Sequence, residues 1–467
     1  MKKNKIIFIF FLVSLAIFSL SFFRIDPDYL WHIKAGEYML KNGVLRQDVF
    51  SWSVVGEYWM SHEWLFEVII YGLKKIFGNL HLFIYCFSGS LILLLSIYFG
   101  NKKDITKNLM FSVLWFACFL LVAFFMQGRP QIISNILLSI SFYFLYDLYK
   151  NENSKKIYFL PLISILWANV HGGSSNLPYL LCLIFLIAGS FKFKYTKIEA
   201  KRLSKKQVIK YLSVMLLCMI AVCINIHGVK MFIYPYENML DTTMLTNIAE
   251  WRSTTLSELT HYIYFVFLVF ILFIFIFSKK RINFVDFVIF AFVAYLGLKS
   301  IRFWFYTYII MSYILFDYVS KREEDKGSYE GIFILSSMFI VLFILGNHSI
   351  LKPKYEFLLN KNDIEVIENN KPIRLFNLYN FGGDLVYHSI PVFIDGRADL
   401  YGKYNFLDYL NISDTKSNYK DLIESYDFDY LLVLKDYPIN EYLENNELYE
   451  LIYTRDDICY YKKRTTQ

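Results

Sequence analysis

The chain has 467 residues, of which 56% are hydrophobic and 19% charged, and its mean hydropathy is +0.38. This composition is far too apolar for a soluble protein of several ordinary domains, and it predicts a membrane protein. The formal net charge is +7, but the tail from Asn347 to Gln467 has 14 Lys and Arg against 20 Asp and Glu, a net charge of −6. The sequence therefore predicts two portions, an apolar, basic transmembrane portion at residues 1–346 and an acidic tail at residues 347–467.

The first apolar segment follows the basic start MKKNK and resembles a signal peptide, but no small-residue cleavage site precedes Arg24. It predicts an uncleaved first helix. A helix needs about 20 apolar residues to cross the hydrocarbon core of a bilayer, and such segments recur until Asn347. They predict about eleven transmembrane helices, at residues 6–23, 79–99, 109–126, 131–149, 157–170, 177–191, 210–226, 262–278, 283–299, 303–319 and 331–346.

The basic residues between these predicted spans favour one topology. Short loops rich in Lys and Arg stay in the cytoplasm. This rule predicts a cytoplasmic N-terminus, an extracytoplasmic first loop at residues 24–78 and an extracytoplasmic tail at residues 347–467. The amphipathic segment 64–77 is expected to lie on the outer membrane surface rather than to cross. The basic clusters are residues 2–5, 102–107, 150–156, 192–210, 279–281 and 321–322.

The predicted outer segments are rich in polar side chains that are uncommon beside hydrocarbon. The first outer loop is dense in Asp, Glu, His and Trp, and the later outer turns read MQGRPQ, WANVHGG, INIHGVKMFIYPYE and LKSIRFW. Charged and imidazole groups in such places usually face a partner or a water-filled cavity. Their concentration on one side predicts a polar cavity that faces outward.

The tail predicts a small α/β domain, with a helix at residues 419–426 among short strand-like runs. It has no P-loop and no GxGxxG fingerprint, so no nucleotide cofactor is expected. In FIDGRADLY, Asp395 and Gly396 predict a turn after a buried strand, with Arg397 as an ion-pair partner. A structural or acceptor-contacting role is favoured there over catalysis. The runs are RLFNLYNFGGDLVYH, PVFIDGRADLYG, FDYLLVLKD and YELIYTRDDICYYKK.

Together these segments resemble the GT-C superfamily of membrane glycosyltransferases, which includes protein O-mannosyltransferases and bacterial enzymes that move sugars from polyprenyl-phosphate carriers. The shared plan is a first helix, a long outer loop that opens with an acidic residue, a ladder of spans and an outer C-terminal domain. The resemblance is closest to bacterial members whose loops are similar to DPDYLWHIKAGEYML, SHEWL, GRPQ, WANVHGG and FIDGRADLY, strings that run from Asp26 to Tyr401. The chain departs from the adjacent acidic pair of the superfamily by having Asp26-Pro27-Asp28.

The resemblance implies an inverting transferase that needs a carboxylate to accept the proton of the acceptor hydroxyl. Asp28 and Asp26 are the candidates for this base, and Pro27 between them fixes a turn after the first helix. Glu63 is a further catalytic candidate at the start of an amphipathic segment. The structural alternative is that all three carboxylates cap the helices that follow them.

The donor phosphate requires cations or a metal to stabilise the departing charge. Arg129 in GRP and Arg302 next to Lys299 are candidates, because a guanidinium binds phosphate oxygens bidentately; ordinary interfacial snorkelling is their alternative. His171, followed by two glycines in WANVHGG, is a further candidate, or else a structural histidine. Asp28, His62 and Glu63 could hold a divalent cation, although they do not form a recognised metal motif.

The sequence therefore predicts a transferase in a bacterial inner membrane that moves a sugar from a polyprenyl-phosphate-linked donor to an envelope glycan, lipid or protein. The chain is expected to be embedded in the lipid bilayer and to have no nucleic acid partner. One alternative is a transporter or flippase of lipid-linked saccharides, but no internal repeat of the kind transporters show is visible. Another is an envelope assembly protein without catalysis.

Overall fold

The computed structural model describes residues 2–22, 26–101, 108–123, 127–240, 247–248, 251–319, 329–346 and 358–464. These residues are mostly helical, with short strands in two small sheets. The chain forms two compact units. The first contains Met1–Arg24 and Leu80–Lys352, and the second contains Ile25–Asn79 and Pro353–Gln467.

The secondary structure elements are as follows. In chain order the helices are α1 (Lys2–Ser19), α2 (Asp28–Asn42), α3 (Trp64–Phe77), α4 (His81–Asn101), α5 (Leu109–Ala117), α6 (Phe119–Ala123), α7 (Gln131–Lys150), α8 (Leu160–Val170), α9 (Leu177–Ala188), α10 (Lys205–Val222), α11 (Val229–Leu240), α12 (Tyr262–Phe277), α13 (Phe284–Lys299), α14 (Trp304–Ile314), α15 (Tyr329–Leu345), α16 (Lys361–Asn370), α17 (Gly382–Tyr387), α18 (Ala398–Ser413), α19 (Tyr419–Tyr426) and α20 (Pro438–Glu444). The strands are β1 (Phe193–Tyr195), β2 (Ile198–Ala200), β3 (Ile282–Asn283), β4 (Leu375–Asn377), β5 (Tyr430–Leu434), β6 (Tyr449–Arg455) and β7 (Ile458–Lys463).

In the first unit, α7 and α14 occupy the interior. α7 packs against α4, α8, α9 and α14, and every residue of α14 is buried. Large aromatic rings fill the space between these helices; Trp115 of α5 stacks on Tyr308 of α14 with a centroid separation of 5.4 Å. A helix that is apolar all round is suited to such a buried position.

A helix covers at least part of each of the eleven predicted spans. Only four helical segments of the described residues are long and apolar enough to cross a membrane by length and composition: Lys5–Phe22, Trp64–Asn101, Gln131–Lys150 and Leu259–Phe277. The membrane character of the chain is supported, while the number of eleven crossings stays a prediction. The basic clusters at residues 102–107 and 321–322 lie outside the described residues.

One predicted outer turn has more structure than expected. The string INIHGVKMFIYPYE contains most of the helix α11, which tolerates Pro235 in its interior. Proline usually ends or kinks a helix, so the sequence around Pro235 did not predict one despite the amphipathic spacing of its apolar residues.

The second unit is built on a four-stranded sheet of order β4-β5-β7-β6. β4 and β5 are parallel, and the other neighbouring pairs are antiparallel. β5, with the sequence YLLVL, lies at the centre and its first four residues are buried, as expected for an apolar run covered on both faces. The predicted small α/β domain and its helix at residues 419–426 agree with these elements.

The first outer loop packs on the tail within this same unit. α2 packs against α3 and α17. The backbone N–H of Trp52 donates to the carbonyl of Val392 at 3.0 Å, and the N–H of Val392 donates to the carbonyl of Phe50 at 3.2 Å. The indole of Trp52 donates to the carbonyl of Leu375 at 3.0 Å. The sequence-based division placed this loop with the transmembrane portion at residues 1–346, whereas the compact unit joins it to the tail.

The segment before Asp395 differs from its prediction. PVFIDG was expected to contain a buried strand, but Val392 makes a single parallel bridge with Ser51 and the residues after it are buried without forming a strand. Their apolar character reflects burial between the first loop and the sheet, which a short apolar run cannot distinguish from a strand.

Candidate functional site

The two aspartates of the DPD string have different surroundings. Asp26 is 7% exposed, and its Oδ1 accepts a hydrogen bond from the backbone N–H of Asp28 at 2.8 Å. Its backbone carbonyl accepts from the N–H of Tyr29 at 3.0 Å. Asp26 thus satisfies a donor at the start of α2 that has no partner within the helix. This geometry agrees with the structural alternative for Asp26.

Asp28 is the first residue of α2 and is half-buried. Its carboxylate lies against the Cα of Gly396 in the tail, so closely that an ideal Cβ on that glycine would be 1.7 Å from Asp28 Oδ1. A negative charge in the first turn is also favoured by the helix dipole. The second unit therefore brings the first candidate base together with the FIDGRADLY string.

His32 lies one helical turn after Asp28 and links α2 to α3. Its Nδ1 is 3.3 Å from Glu67 Oε1, and its Nε2 is 3.5 Å from Glu63 Oε2. Residues four apart on a helix lie on the same face, so Asp28 and His32 share one face of α2. The Glu63 side chain does not cap α3. Its carboxylate is directed toward imidazoles instead, which argues against the capping alternative for this residue.

His62 continues this chain of alternating carboxylates and imidazoles. Its Nε2 is 3.3 Å from Glu63 Oε1, and its Nδ1 is 3.8 Å from Asp399 Oδ2. Burial lowers the pKa of the His62 imidazole, but the charge and hydrogen bond of Glu63, with the charges of Asp399 and Glu67, outweigh burial and raise this pKa to about 9. His62 therefore carries a proton at neutral pH.

Arg397 forms buried ion pairs with Asp395 and Asp48. Its guanidinium makes hydrogen bonds to Asp395 at 2.6 to 3.1 Å and to Asp48 at 2.5 Å, and all three side chains are inaccessible to solvent. The rings of Trp59 and Phe50 lie 4.8 and 5.2 Å from the guanidinium carbon. Arg397 thus joins the first loop to the tail, which agrees with the ion-pair role predicted for it.

The predicted donor-binding residues all belong to the first unit. The backbone carbonyl of Arg129 accepts from the Tyr85 hydroxyl at 2.8 Å, in the turn before α7. The guanidinium of Arg302 lies 4.5 Å from the ring centroid of Trp251, and Lys299 is exposed at the end of α13. His171 is 3% exposed, with its Nδ1 2.7 Å from the Ser134 hydroxyl, which suits a structural histidine.

The metal prediction for Asp28, His62 and Glu63 meets a geometric difficulty. Among the described residues, no group of three or more His, Cys, Asp or Glu side chains is arranged to hold a metal ion. Both oxygens of Glu63 are directed toward histidine nitrogens. The described residues thus give no fitted metal site, and the metal dependence stays a prediction.

Sequence reasoning missed His32, Glu67 and Asp48. Two of them carried a detectable signal, because Asp28 with His32 and Glu63 with Glu67 are each four residues apart, the spacing that places two side chains on one helix face. Asp48 had none, since it lies in an irregular loop far in sequence from Arg397.

Comparisons with known proteins bear on the fold. No family model matches the sequence, and no curated protein matches it. Solved structures with a similar fold include the oligosaccharyltransferase of Archaeoglobus fulgidus in its apo form, with a TM-score of 0.50 and 12% identity over 91% of this chain and 69% of that chain. They also include the oligosaccharyltransferase AglB of the same archaeon in complex with an inhibitory peptide and a dolichol-phosphate, with a TM-score of 0.51 and 10% identity over the same shares.

At this low identity the similarity concerns the fold. It agrees with the overall plan that the sequence strings indicated, and membership of the GT-C superfamily stays a prediction. The O-mannosyltransferase-like subtype stays a prediction.

Proposed function

We propose that the chain is a membrane glycosyltransferase that moves a sugar from a polyprenyl-phosphate-linked donor to a cell-envelope acceptor on the extracytoplasmic face. The observation that carries the proposal is the similarity of its fold to oligosaccharyltransferases over 91% of the chain. The first loop also supports it, because Asp28 and His32 share one face of α2, His32 lies beside Glu63, and transfer to a hydroxyl requires a positioned carboxylate.

In the proposed reaction the acceptor hydroxyl gives its proton to the Asp28 carboxylate while its oxygen attacks the anomeric carbon of the donor. The bond from that carbon to the phosphate oxygen breaks, and the polyprenyl phosphate leaves with the bonding electrons. Attack on the face opposite to the leaving group inverts the anomeric centre. Asp26 holds the start of α2, and Glu63 with His32 and His62 shapes the electrostatic surroundings of the base.

The proposed donor site uses cations from the first unit. Arg129 and Arg302 would bind phosphate oxygens through paired N–H donors, with Lys299 as a further positive charge. We propose that His171 contributes least directly to donor binding, because its ring is buried against Ser134. In this proposal the donor and acceptor are a polyprenyl-phosphate sugar and an envelope glycan, lipid or protein, and the membrane is the bacterial inner membrane.

The test is incubation of the purified protein with a panel of polyprenyl-phosphate sugars, with and without candidate acceptors, and measurement of released polyprenyl phosphate. We expect release that depends on Asp28, so the Asp28→Asn variant is the matched control. Movement of the intact lipid-linked saccharide across vesicles without any release would instead identify a transporter.

The Arg129→Ala variant tests the donor site separately. Charged hydrogen bonds to phosphate contribute about 1.5–3 kcal/mol each, so we expect weaker donor binding, by about tenfold or more, in a variant that folds normally. Titration of the donor onto the detergent-purified variant measures this. Wild-type donor affinity would remove Arg129 from the site.

A further inference from the structure

Two glycines of the tail, Gly383 in α17 and Gly396 in the turn after Asp395, lie against Pro27 and Asp28 at the start of α2. An ideal Cβ on Gly396 would lie 1.7 Å from Asp28 Oδ1, and an ideal Cβ on Gly383 would lie 2.2 Å from the carbonyl oxygen of Pro27. Carbon–oxygen contacts of Cα–H groups are about 3.3–3.6 Å long. Only glycine therefore fits at either position while Asp28 stays where it is.

The requirement for glycine comes from these contacts and not from the backbone. Gly396 and Gly383 do not adopt the positive φ values found at Gly43, Gly56, Gly78, Gly228 and Gly402. Neither φ value by itself therefore requires glycine. The absence of a side chain at Gly396 thus serves the close approach of the Asp28 carboxylate.

The turn that contains Gly396 is held by hydrogen bonds and ion pairs on both sides. Tyr379 donates its hydroxyl to the Gly396 carbonyl at 3.2 Å. Arg397 is fixed by Asp395 and Asp48, and Tyr401 donates to Asp395 Oδ2 at 3.0 Å. The start of α17 also contacts this turn, since an ideal Cβ on Gly382 would lie 2.5 Å from the Asp395 Cα.

We propose that the tail turn Asp395-Gly396-Arg397, together with Gly383, is the positioning element for the Asp28 carboxylate. The ion pair of Arg397 fixes the position of the turn. Because Gly396 has no side chain, the Asp28 carboxylate can contact the backbone of the turn in one orientation. The tail then acts in catalysis without contacting the reacting atoms. This inference rests on the proposed role of Asp28 as the base.

The first test is Gly396→Ala, with Gly72→Ala as a matched control. Gly72 belongs to the same unit, has an unstrained backbone and has no atom within 4 Å of an added Cβ. Displacement of a reacting group by about 1 Å can cost about 10² in rate, so we expect kcat of Gly396→Ala to fall by about 10²-fold with KM for the donor nearly unchanged. Gly72→Ala should keep wild-type kcat.

A second test does not depend on activity. The unfolding temperature in detergent is measured for Gly396→Ala in the wild-type background and in the Asp28→Ala background, as a double-mutant cycle. We expect the shift caused by the added methyl group to be smaller once the carboxylate is gone. Equal shifts in both backgrounds would overturn the contact.

Tyr379→Phe keeps the inference testable if Gly396→Ala does not fold. It removes one hydrogen bond to the turn, and we expect a kcat several-fold lower at unchanged KM. Wild-type kcat in Tyr379→Phe, and in Gly396→Ala where it folds, would refute the positioning role. If the wild-type protein transfers no sugar, the proposed function and the positioning role fall together, while coupling in the stability cycle would still establish the contact.

Discussion

At the residue scale, the two aspartates of the DPD string lead to opposite predictions. Asparagine at position 28 keeps the size of the side chain but cannot accept a proton, so Asp28→Asn should lower the transfer rate by about 10²–10⁴-fold. Asp26→Asn keeps an oxygen that can accept from the Asp28 N–H, so its rate should stay near that of the wild type. Initial rates of polyprenyl phosphate release measure both. If Asp26→Asn transfers no sugar while Asp28→Asn is active, Asp26 is the base and Asp28 is the structural residue.

The structural role of Asp26 can also be tested by measuring stability. Loss of a side chain that satisfies a helix start costs about 0.5–2 kcal/mol, so Asp26→Ala should lower the unfolding temperature while Asp26→Asn should not. Thermal unfolding in detergent of these variants checks the structural role of Asp26 without reference to its chemistry. Equal unfolding temperatures for Asp26→Ala and the wild type would count against that role.

His62 provides a prediction about pH. Its pKa in the folded protein, about 9, is above the value of about 6.5 for an unperturbed histidine. The stabilisation by its charge is therefore fully present below pH 6.5 and is lost as the pH rises through 9, with a slope of at most about 1.4 kcal/mol per pH unit. We expect His62→Gln to remove this part of the fall in unfolding free energy between pH 6.5 and 9. An unchanged fall in the variant would show that other groups cause it.

The candidate site could be predicted from the sequence only where its residues stand out locally. Asp28, His62 and Glu63 lie in a polar loop of a mostly apolar chain, and this contrast, together with the family resemblance, made them candidates. His32 and Glu67 are equally unusual, but only the packing of α2 on α3 shows that they meet. Single helices reveal which residues share a face, whereas the pairing of two helix faces depends on tertiary contacts.

At the element scale, the contact between the first loop and the tail depends on Arg397. Its replacement by Met would leave Asp395 and Asp48 buried without a counter-charge, and breaking a buried pair in this way costs about 3–5 kcal/mol. We therefore expect Arg397→Met to lower the unfolding temperature strongly. Arg374→Met is the control, because Arg374 pairs with Asp427 at an exposed position and such pairs contribute about 0–1 kcal/mol. Similar small effects in both variants would contradict the role of Arg397.

The sequence predicted that Arg397 makes an ion pair but could not identify Asp48 as a partner 349 residues away. The sequence shows two acidic residues close to Arg397, Asp395 and Asp399, each two positions away. The large sequence separation between the first loop and the tail also explains why PVFIDG was expected to contain a strand. Its apolar residues are buried by Trp52 and other residues of the first loop rather than by neighbouring strands.

At the scale of the whole molecule, the composition of the second unit constrains the membrane topology. Residues 25–79 and 353–467 belong to one compact unit, and a unit with a hydrogen-bonded sheet and buried ion pairs in a shared core lies on one side of a bilayer. The chain between them must then cross the membrane an even number of times. The ten spans predicted after the first helix satisfy this condition, whereas the three long apolar segments after α1 do not.

This argument gives a prediction that fusions can test. A reporter inserted after the exposed Gly43 and one fused after Gln467 should report the same side of the membrane, and the basic loops place that side outside the cytoplasm. An enzyme that is active only in the cytoplasm should therefore be silent at both positions. The same enzyme inserted in the basic loop after Asn153 should be active, which controls for expression. Different sides for Gly43 and Gln467 would contradict the joint unit, and cytoplasmic activity at both would reverse the topology and move the Asp28 site to the other face of the membrane.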